Sequence, residues 1–228
     1  DVTGDNSGRV YVFDATTGAL LHLLSNPDQT ADSANDEFGA EVSIFGSTIA
    51  VNSSADATAA SAGAVHLFDA ISGSLLTTIL SPEPAASGFF GSSISMTGNR
   101  LLIGAYGNSA TGIASGRAYL FDYDSVTGST SLITTIDNPT PGNSDYFGRR
   151  VVITPTVLAI SAQFDNAGAS DSGVVHLFSA TTGLFQHTIL NPTPAMFDFF
   201  GISLAAAGDR IIVGALDDSG ENASGQAY

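Results

Sequence analysis

Hydrophobic residues in this chain fall into short runs rather than long helical stripes, and the runs recur in a fixed cycle. The first kind alternates apolar and polar, as in Ala40-Glu41-Val42-Ser43-Ile44 and Ser92-Ser93-Ile94-Ser95-Met96. A period of two sets one face of a strand on a core. A turn such as Thr97-Gly98-Asn99 or Gly208-Asp209 follows, then a continuous apolar run: Leu101-Leu102-Ile103-Gly104-Ala105 in one place, Ile211-Ile212-Val213-Gly214-Ala215 in another. Such a run fits a strand covered on both faces. After a loop rich in Asp, Asn, Ser and Gly comes a third run that changes little between copies. It reads Gly8-Arg9-Val10-Tyr11-Val12-Phe13-Asp14, Gly63-Ala64-Val65-His66-Leu67-Phe68-Asp69, Gly116-Arg117-Ala118-Tyr119-Leu120-Phe121-Asp122 and Gly173-Val174-Val175-His176-Leu177-Phe178-Ser179. A Thr-Gly or Ser-Gly turn leads into a fourth run, over residues 19–24, 74–80, 131–136 and 184–190. Each cycle predicts four short antiparallel strands.

The cycle is punctuated by a Phe-Gly pair at Phe38-Gly39, Phe90-Gly91, Phe147-Gly148 and Phe200-Gly201, at spacings of 52, 57 and 53 residues. Ahead of three of these pairs lies a proline segment, Ser81-Pro82-Glu83-Pro84, Asn138-Pro139-Thr140-Pro141 or Asn191-Pro192-Thr193-Pro194. Proline cannot donate to a strand ladder, so these are connectors. The chain is therefore one repeat domain over residues 1–228, with partial units at 1–27 and 200–228 and full units at about 38–84, 90–141 and 147–194. Turns this short leave no room for crossover helices, and a lone four-stranded sheet cannot bury both faces, so the units must pack on one another. Radial packing makes a β-propeller and linear stacking a solenoid; a four-stranded period of about 50 residues favours the all-β propeller. The expectation is a segment of a longer propeller, with a four- or five-blade ring as the alternative. The repeated Phe38, Phe90, Phe147 and Phe200 are expected between sheets. The glycines after them, Gly39, Gly91, Gly148 and Gly201, allow close backbone approach or positive φ.

Charge narrows the partners. The chain carries 22 acidic residues against 6 basic ones, all arginine, for a net charge of −16. Nucleic acid and anionic lipid are met by basic patches, so neither is an expected partner. No window approaches the ~18 uninterrupted apolar residues of a spanning helix, and membrane insertion is not expected. With no cysteine, disulfides and thiolate chemistry are excluded and core packing must hold the fold. The chain opens at Asp1 without an apolar leader, so secretion has to be inferred by other means.

The order of elements resembles the FG-GAP repeat family over essentially the whole chain. That order is Phe-Gly, a short strand, a Gly-Asp or Gly-Asn turn, an apolar run ending in Gly104-Ala105 or Gly214-Ala215, an Asp/Asn/Ser loop, and Gly-x-x-Tyr/His-x-Phe. The resemblance implies the propeller of integrin α-subunit headpieces and of many secreted or surface bacterial proteins, with adhesion and carbohydrate or protein binding as common roles. Two departures stand out. The Gly-Ala element is Val51-Asn52 in the first full unit and Ile160-Ser161 in the third, and the Asp-x-Asp-x-Asp-Gly run with which family members often hold calcium is missing.

His66 and His176 occupy the position of Tyr11 and Tyr119, while His22 and His187 align with Thr77. Each sits at a repeating strand position on a different unit, which favours a structural role over a catalytic base with a dedicated partner. The acidic loops ahead of the third strands are the candidate metal ligands: residues 1–6, Asp165 and Asn166 with Asp171, and Asp217 and Asp218 with Glu221. Their oxygens suit calcium, the one candidate cofactor, although the same residues are the ordinary material of exposed turns. Asp122-x-Asp124 ahead of Thr127-Gly128 lengthens one hairpin, and Asn52-Ser53-Ser54 and Asn222-Ala223-Ser224 match the glycosylation triplet. No convergent set of acid, base and nucleophile is present. The expected function is a non-catalytic binding or adhesion module, extracellular or at the cell surface, whose partner is a protein or a carbohydrate. The alternatives are a structural subunit or decoration of a surface appendage or sheath, through self-assembly or further blades, and a propeller-fold glycoside hydrolase or lyase.

Overall fold

The computed structural model describes residues 8–28, 36–53, 61–216 and 226–228, and among them every regular element is a strand. A two-stranded hairpin, β1 (Val10–Phe13) and β2 (Leu20–Leu24), comes first. Three four-stranded sheets follow. They are β3 (Val42–Phe45), β4 (Thr48–Ser53), β5 (Ala64–Asp69), β6 (Leu75–Leu80); β7 (Ser93–Thr97), β8 (Arg100–Ala105), β9 (Arg117–Tyr123), β10 (Thr130–Asp137); and β11 (Val151–Ile153), β12 (Val157–Ala162), β13 (Val174–Ser179), β14 (Phe185–Leu190). A last sheet holds β15 (Ser203–Ala207), β16 (Arg210–Ala215) and β17 (Gln226–Ala227). Strands within each sheet are consecutive and antiparallel, as the short turns require. The proline segments lie outside the strands, as expected.

The sheets fan out radially. β3 adjoins β7, β7 adjoins β11, and β11 adjoins β15. The contact is polar at one seam, where the N–H groups of Val151 and Ile153 in β11 donate to the Ser93 and Ser95 hydroxyls of β7, both at 3.1 Å. No comparable contact joins β15 to β3, so the described residues make an arc of propeller-like blades and not a closed ring.

Every core lies between two neighbouring sheets. Leu101, Ile103 and Ala105 of β8 pack with Ala50, Val65 and Leu67 of the preceding sheet, while Leu102 packs with Leu158 and Ile160 of the following one. The uninterrupted apolar second strands follow from this: successive side chains meet different neighbours, and both are apolar. Each fully buried Leu, Ile or Phe is worth ~1.5–3 kcal/mol, so the interfaces carry most of the stability.

The Phe-Gly anchors stitch one sheet to the next. Phe90, Phe147 and Phe200 are fully buried, and each ring packs on the third strand of its own sheet, as Phe147 does on His176 at 5.8 Å and Phe178 at 6.0 Å. The anchor backbone meanwhile docks on the preceding sheet. Phe147 N–H donates to the Ser115 carbonyl at 3.1 Å, and Gly116 bridges to Phe147 in parallel. Gly116 has φ 85°, and a Cβ there would collide with the Phe147 backbone.

The connectors carry a device that the sequence reading did not single out. Asn138 Nδ2 donates to Asp145 Oδ2 at 2.9 Å, Asn191 repeats this with Asp198 at 2.7 Å, and Asn26 with Asp36 at 2.8 Å. All six side chains are buried. The Asn oxygen in turn accepts an N–H two residues on, from Asp28, Thr140 or Thr193. The Asn thereby closes the proline turn and the Asp ties it to the coming Phe-Gly. Ser81 and Gly88 hold these places in the one connector without the pair.

The insertion at Asp122-x-Asp124 lengthens the strands, to seven residues in β9 and eight in β10. Asp122 pairs with Arg100 at 3.1 Å, and Asp124 accepts the Val126 and Thr127 N–H groups of the turn.

Candidate binding cleft

The residue before each anchor Phe is held in the left-handed region: Glu37 at φ 54°, Phe89 at 51°, Tyr146 at 55° and Phe199 at 52°. For a bulky residue this costs ~1–3 kcal/mol and is tolerated only where the surroundings enforce it. It sends neighbouring side chains apart. The anchor ring goes into the core, and the ring before it goes to the axial end of the fan.

There the rings form a row across three sheets. Phe89 stacks on Tyr106 with centroids 5.0 Å apart and planes 9° apart; Tyr106 meets Tyr146 at 5.3 Å, Tyr146 meets Phe164 at 5.0 Å, and Phe164 meets Phe199 at 5.1 Å. All five are half-buried. Beside the row opens a cleft of about 490 Å³, whose aromatic wall is Phe89 and Tyr106 and whose basic wall is Arg149 and Arg150. Asn52, Ser92, Glu37 and Glu41 line the remainder.

The arginines are placed by specific contacts. The Arg149 guanidinium lies over the Tyr106 ring, 4.4 Å from its centroid. Arg150 Nε donates to the Ile202 carbonyl at 3.3 Å, and its N–H to the Ser161 hydroxyl at 3.0 Å. Neither guanidinium makes an ion pair among the described residues, whereas Arg100 pairs with Asp122 and Arg117 with both Asp137 and Glu83. Across the cleft Glu41 N–H donates to Asn52 Oδ1 at 2.7 Å, and Glu41 Oε1 accepts the Ile94 N–H at 3.4 Å. The departures from Gly-Ala at Asn52 and Ser161 thus supply side-chain acceptors that hold the residues after Phe-Gly. An opposite depression of about 450 Å³ lies among the hairpin turns at Thr97–Arg100 and Thr154–Pro155, where Arg100 is already paired.

The metal candidates are placed as turn residues. Asp165 is buried and accepts the Ala167 N–H at 2.8 Å and the Thr140 hydroxyl at 3.1 Å. Asn166 Oδ1 accepts the Asp171 N–H at 3.0 Å. Burial pushes the Asp165 carboxyl above the usual carboxylate range, and burial with the Asp165 charge nearby does the same to Asp145 against the Gly142 and Asn138 hydrogen bonds. Among the described residues no group of three or more His, Asp or Glu is arranged to hold a metal ion. Asp217, Asp218 and Glu221 lie outside the described residues, as do residues 1–6 and the triplet at Asn222. Asn52, of the other triplet, is fully buried in β4, and its Oδ1 accepts the Glu41 N–H.

The histidines sit in the strands, as their repeat positions imply. His66 and His176 are buried; His66 contacts Thr78 and Ser53, and His176 contacts Thr188. Burial lowers each to about 4, so both rings are neutral near pH 7. Half-buried His22 contacts the Ile71 carbonyl.

The family model described as the FG-GAP repeat matches residues 75–121 and 186–228. Each match runs from the fourth strand of one sheet through the Phe-Gly anchor to the third strand of the next. The matched unit of sequence therefore straddles an interface rather than coinciding with a sheet. No curated protein sequence matches the chain. Among solved structures, the crystal structure of the computationally designed Ika8 protein superposes with a TM-score of 0.56 at 15% identity, over 94% of this chain and 52% of that one. The chain spans about half the length of that structure, and the likeness is one of fold. This is an all-β chain of propeller-like blades whose residues 75–121 and 186–228 match the FG-GAP repeat.

Proposed function

We propose that this chain is a non-catalytic binding or adhesion module, extracellular or at a cell surface, and that its ligand enters the axial cleft beside Tyr106 and Arg149. The observation that carries this reading is the cleft itself. Phe89, held in a costly left-handed conformation, and Tyr106 stack at its wall, and two arginines stand in it without carboxylate partners among the described residues. A concave site with aromatic walls and few oriented polar groups is the usual form of a ligand site. The extracellular assignment draws on the setting in which FG-GAP repeats occur. The test is a glycan array and a surface-protein pull-down with the intact chain and with Tyr106→Ala. Binding that falls at least tenfold in the variant supports the reading. No ligand above background, or binding that the variant leaves untouched, overturns it.

A second reading, assembly with a second copy, has its own support. Tyr11 and Phe13 are 53% and 57% exposed, while His66 and Phe68 at the same repeat positions are 1% and 4% exposed. At the other end Ile212 is 55% exposed and its equivalent Leu102 is fully buried. The two faces are opposite halves of the interface that joins neighbouring sheets elsewhere, so the end sheet of one copy suits the first hairpin of another. Sedimentation over a concentration series tests this. Association abolished by Phe13→Ser supports it; a monomer at every concentration and salt level refutes it.

A further inference from the structure

We infer that the ligand of the axial cleft is a carboxylate-bearing sugar, a uronate residue within an acidic glycan, whose carboxylate lies between Arg149 and Arg150; the inference rests on the cleft being the binding site. It starts from the charge balance. In a chain of net charge −16, an arginine has many carboxylates to meet, and Arg100 and Arg117 have met theirs. Among the described residues Arg149 and Arg150 have not, although they are adjacent and face one concavity. The tyrosine face under Arg149 and the Ile202 carbonyl at Arg150 Nε hold both guanidinium groups in place. Their remaining N–H groups carry no bond among the described residues. A planar fork of this kind matches a carboxylate in two-point fashion, and its prior ordering spares the entropy of immobilising it on binding.

The opposite wall selects among carboxylates. Glu41 presents a carboxylate of its own, and Asn52 and Ser92 lie beside it. A ligand that is anionic throughout, such as a polyphosphate, would be repelled there. One that carries a carboxylate on one side and hydroxyl donors on the other satisfies both walls. That is the chemistry of a uronate ring, and it is not that of an aspartate or glutamate side chain in a peptide, which has no hydroxyls to offer Glu41. The apolar C–H faces of the sugar are matched by the Phe89 and Tyr106 rings. A cleft of about 490 Å³ falls within the ~300–1,000 Å³ usual for small ligands.

Titration calorimetry with the intact chain tests the inference, using oligogalacturonate, its fully methyl-esterified form, a neutral glucan oligomer and poly-glutamate as probes. The expected result is binding to oligogalacturonate that weakens at least tenfold on esterification, weakens at least tenfold in Arg150→Gln, and declines as sodium chloride rises from 50 to 300 mM. Arg117→Gln, with its charge outside the cleft, should bind like the parent chain, and matched melting curves show whether each variant is folded. Equal affinity for the free and esterified oligomers overturns the inference, as does indifference to Arg150→Gln in a folded variant. Tighter binding of poly-glutamate overturns it in favour of an acidic protein partner. Neutral glucan binding that Tyr106→Ala abolishes would sink the carboxylate inference yet leave the cleft as the ligand site. Silence from every probe, with the array and pull-down also silent, would sink both.

Discussion

The seam between neighbouring sheets depends on a glycine that admits the next anchor's backbone, and Gly116→Ala measures how much. Two costs combine there. A left-handed alanine costs ~1–2 kcal/mol wherever it occurs. At Gly116, φ 85°, the new Cβ would also meet the carbonyl oxygen, nitrogen and carbonyl carbon of Phe147 inside van der Waals contact, so the seam has to open. Opening it strains two backbone hydrogen bonds, Tyr146 N–H to Ala114 at 3.2 Å and Phe147 N–H to Ser115 at 3.1 Å. Each is worth ~0.5–1.5 kcal/mol net, and any exposure of the Phe147 ring adds to that. The sum is roughly 3–5 kcal/mol. Gly98 supplies the control: it has φ 57° and nothing within 4 Å of its Cβ direction, so Gly98→Ala should cost only the conformational ~1–2 kcal/mol. At ~2–4 °C per kcal/mol for a chain of this size, the two melting temperatures should differ by roughly 5–10 °C. Thermal melts and urea midpoints of the two variants read this directly. Equal shifts would refute the claim that close approach at Gly116 holds the sheets together.

Phe147→Ala should destabilise by ~3–5 kcal/mol in urea titration, because a fully buried ring between two sheets leaves a cavity that rigid strands cannot collapse. Stability should fall as pH drops from 6.5 toward 4. The unfolded chain then protonates its histidines while His66 and His176, with folded values of about 4, stay neutral, at a cost of up to about 3 kcal/mol each. His176→Tyr, which installs the residue present at Tyr119, should flatten that slope; an unchanged slope would refute the assignment. Carboxyl NMR titration should place Asp69 and Asp124 below the ordinary 3.8 and Asp145 and Asp165 above it, the first pair because turn N–H and hydroxyl groups hold the charge, the second because burial disfavours it. The two sets act oppositely on stability. The turn carboxylates lose their contribution as pH falls through their lowered values, and the buried pair gains between its raised values and 3.8.

Much of the candidate site was hidden from a reading along the chain. The aromatic residues before the anchors are visible as Phe89-Phe90, Tyr146-Phe147 and Phe199-Phe200, yet nothing local says that one ring of each pair goes to the core and the other to the aromatic row beside the cleft. That depends on the left-handed φ imposed by the preceding sheet. Asn138 and Asp145 look like two polar loop residues until the connector folds and brings Nδ2 to the carboxylate. Asn52 carries a valid glycosylation triplet, and its burial follows only from the place of β4 inside the folded sheet, paired with β3 and β5. Of the acidic-loop residues expected to hold a metal, Asp165 and Asn166 each accept an N–H of their own loop, and Asp165 also accepts the Thr140 hydroxyl of the connector beside it.

What the sequence determined by itself are the features set by neighbours a few residues apart. Alternation and apolar runs mark the strands, glycines and prolines end them, and a recurring Phe-Gly counts the units; all are fixed by backbone sterics and side-chain period. The placing of His66 and His176 at equivalent strand positions followed from the same periodicity. The tertiary structure alone decided which strands face the axis, that every core lies between sheets, and that residues as distant as Glu41, Tyr106 and Arg150 line one cleft. The physical reason is that radial packing is a long-range constraint. It is paid in loop-closure entropy and returned by burial between sheets, and neither quantity is written in any short window of sequence.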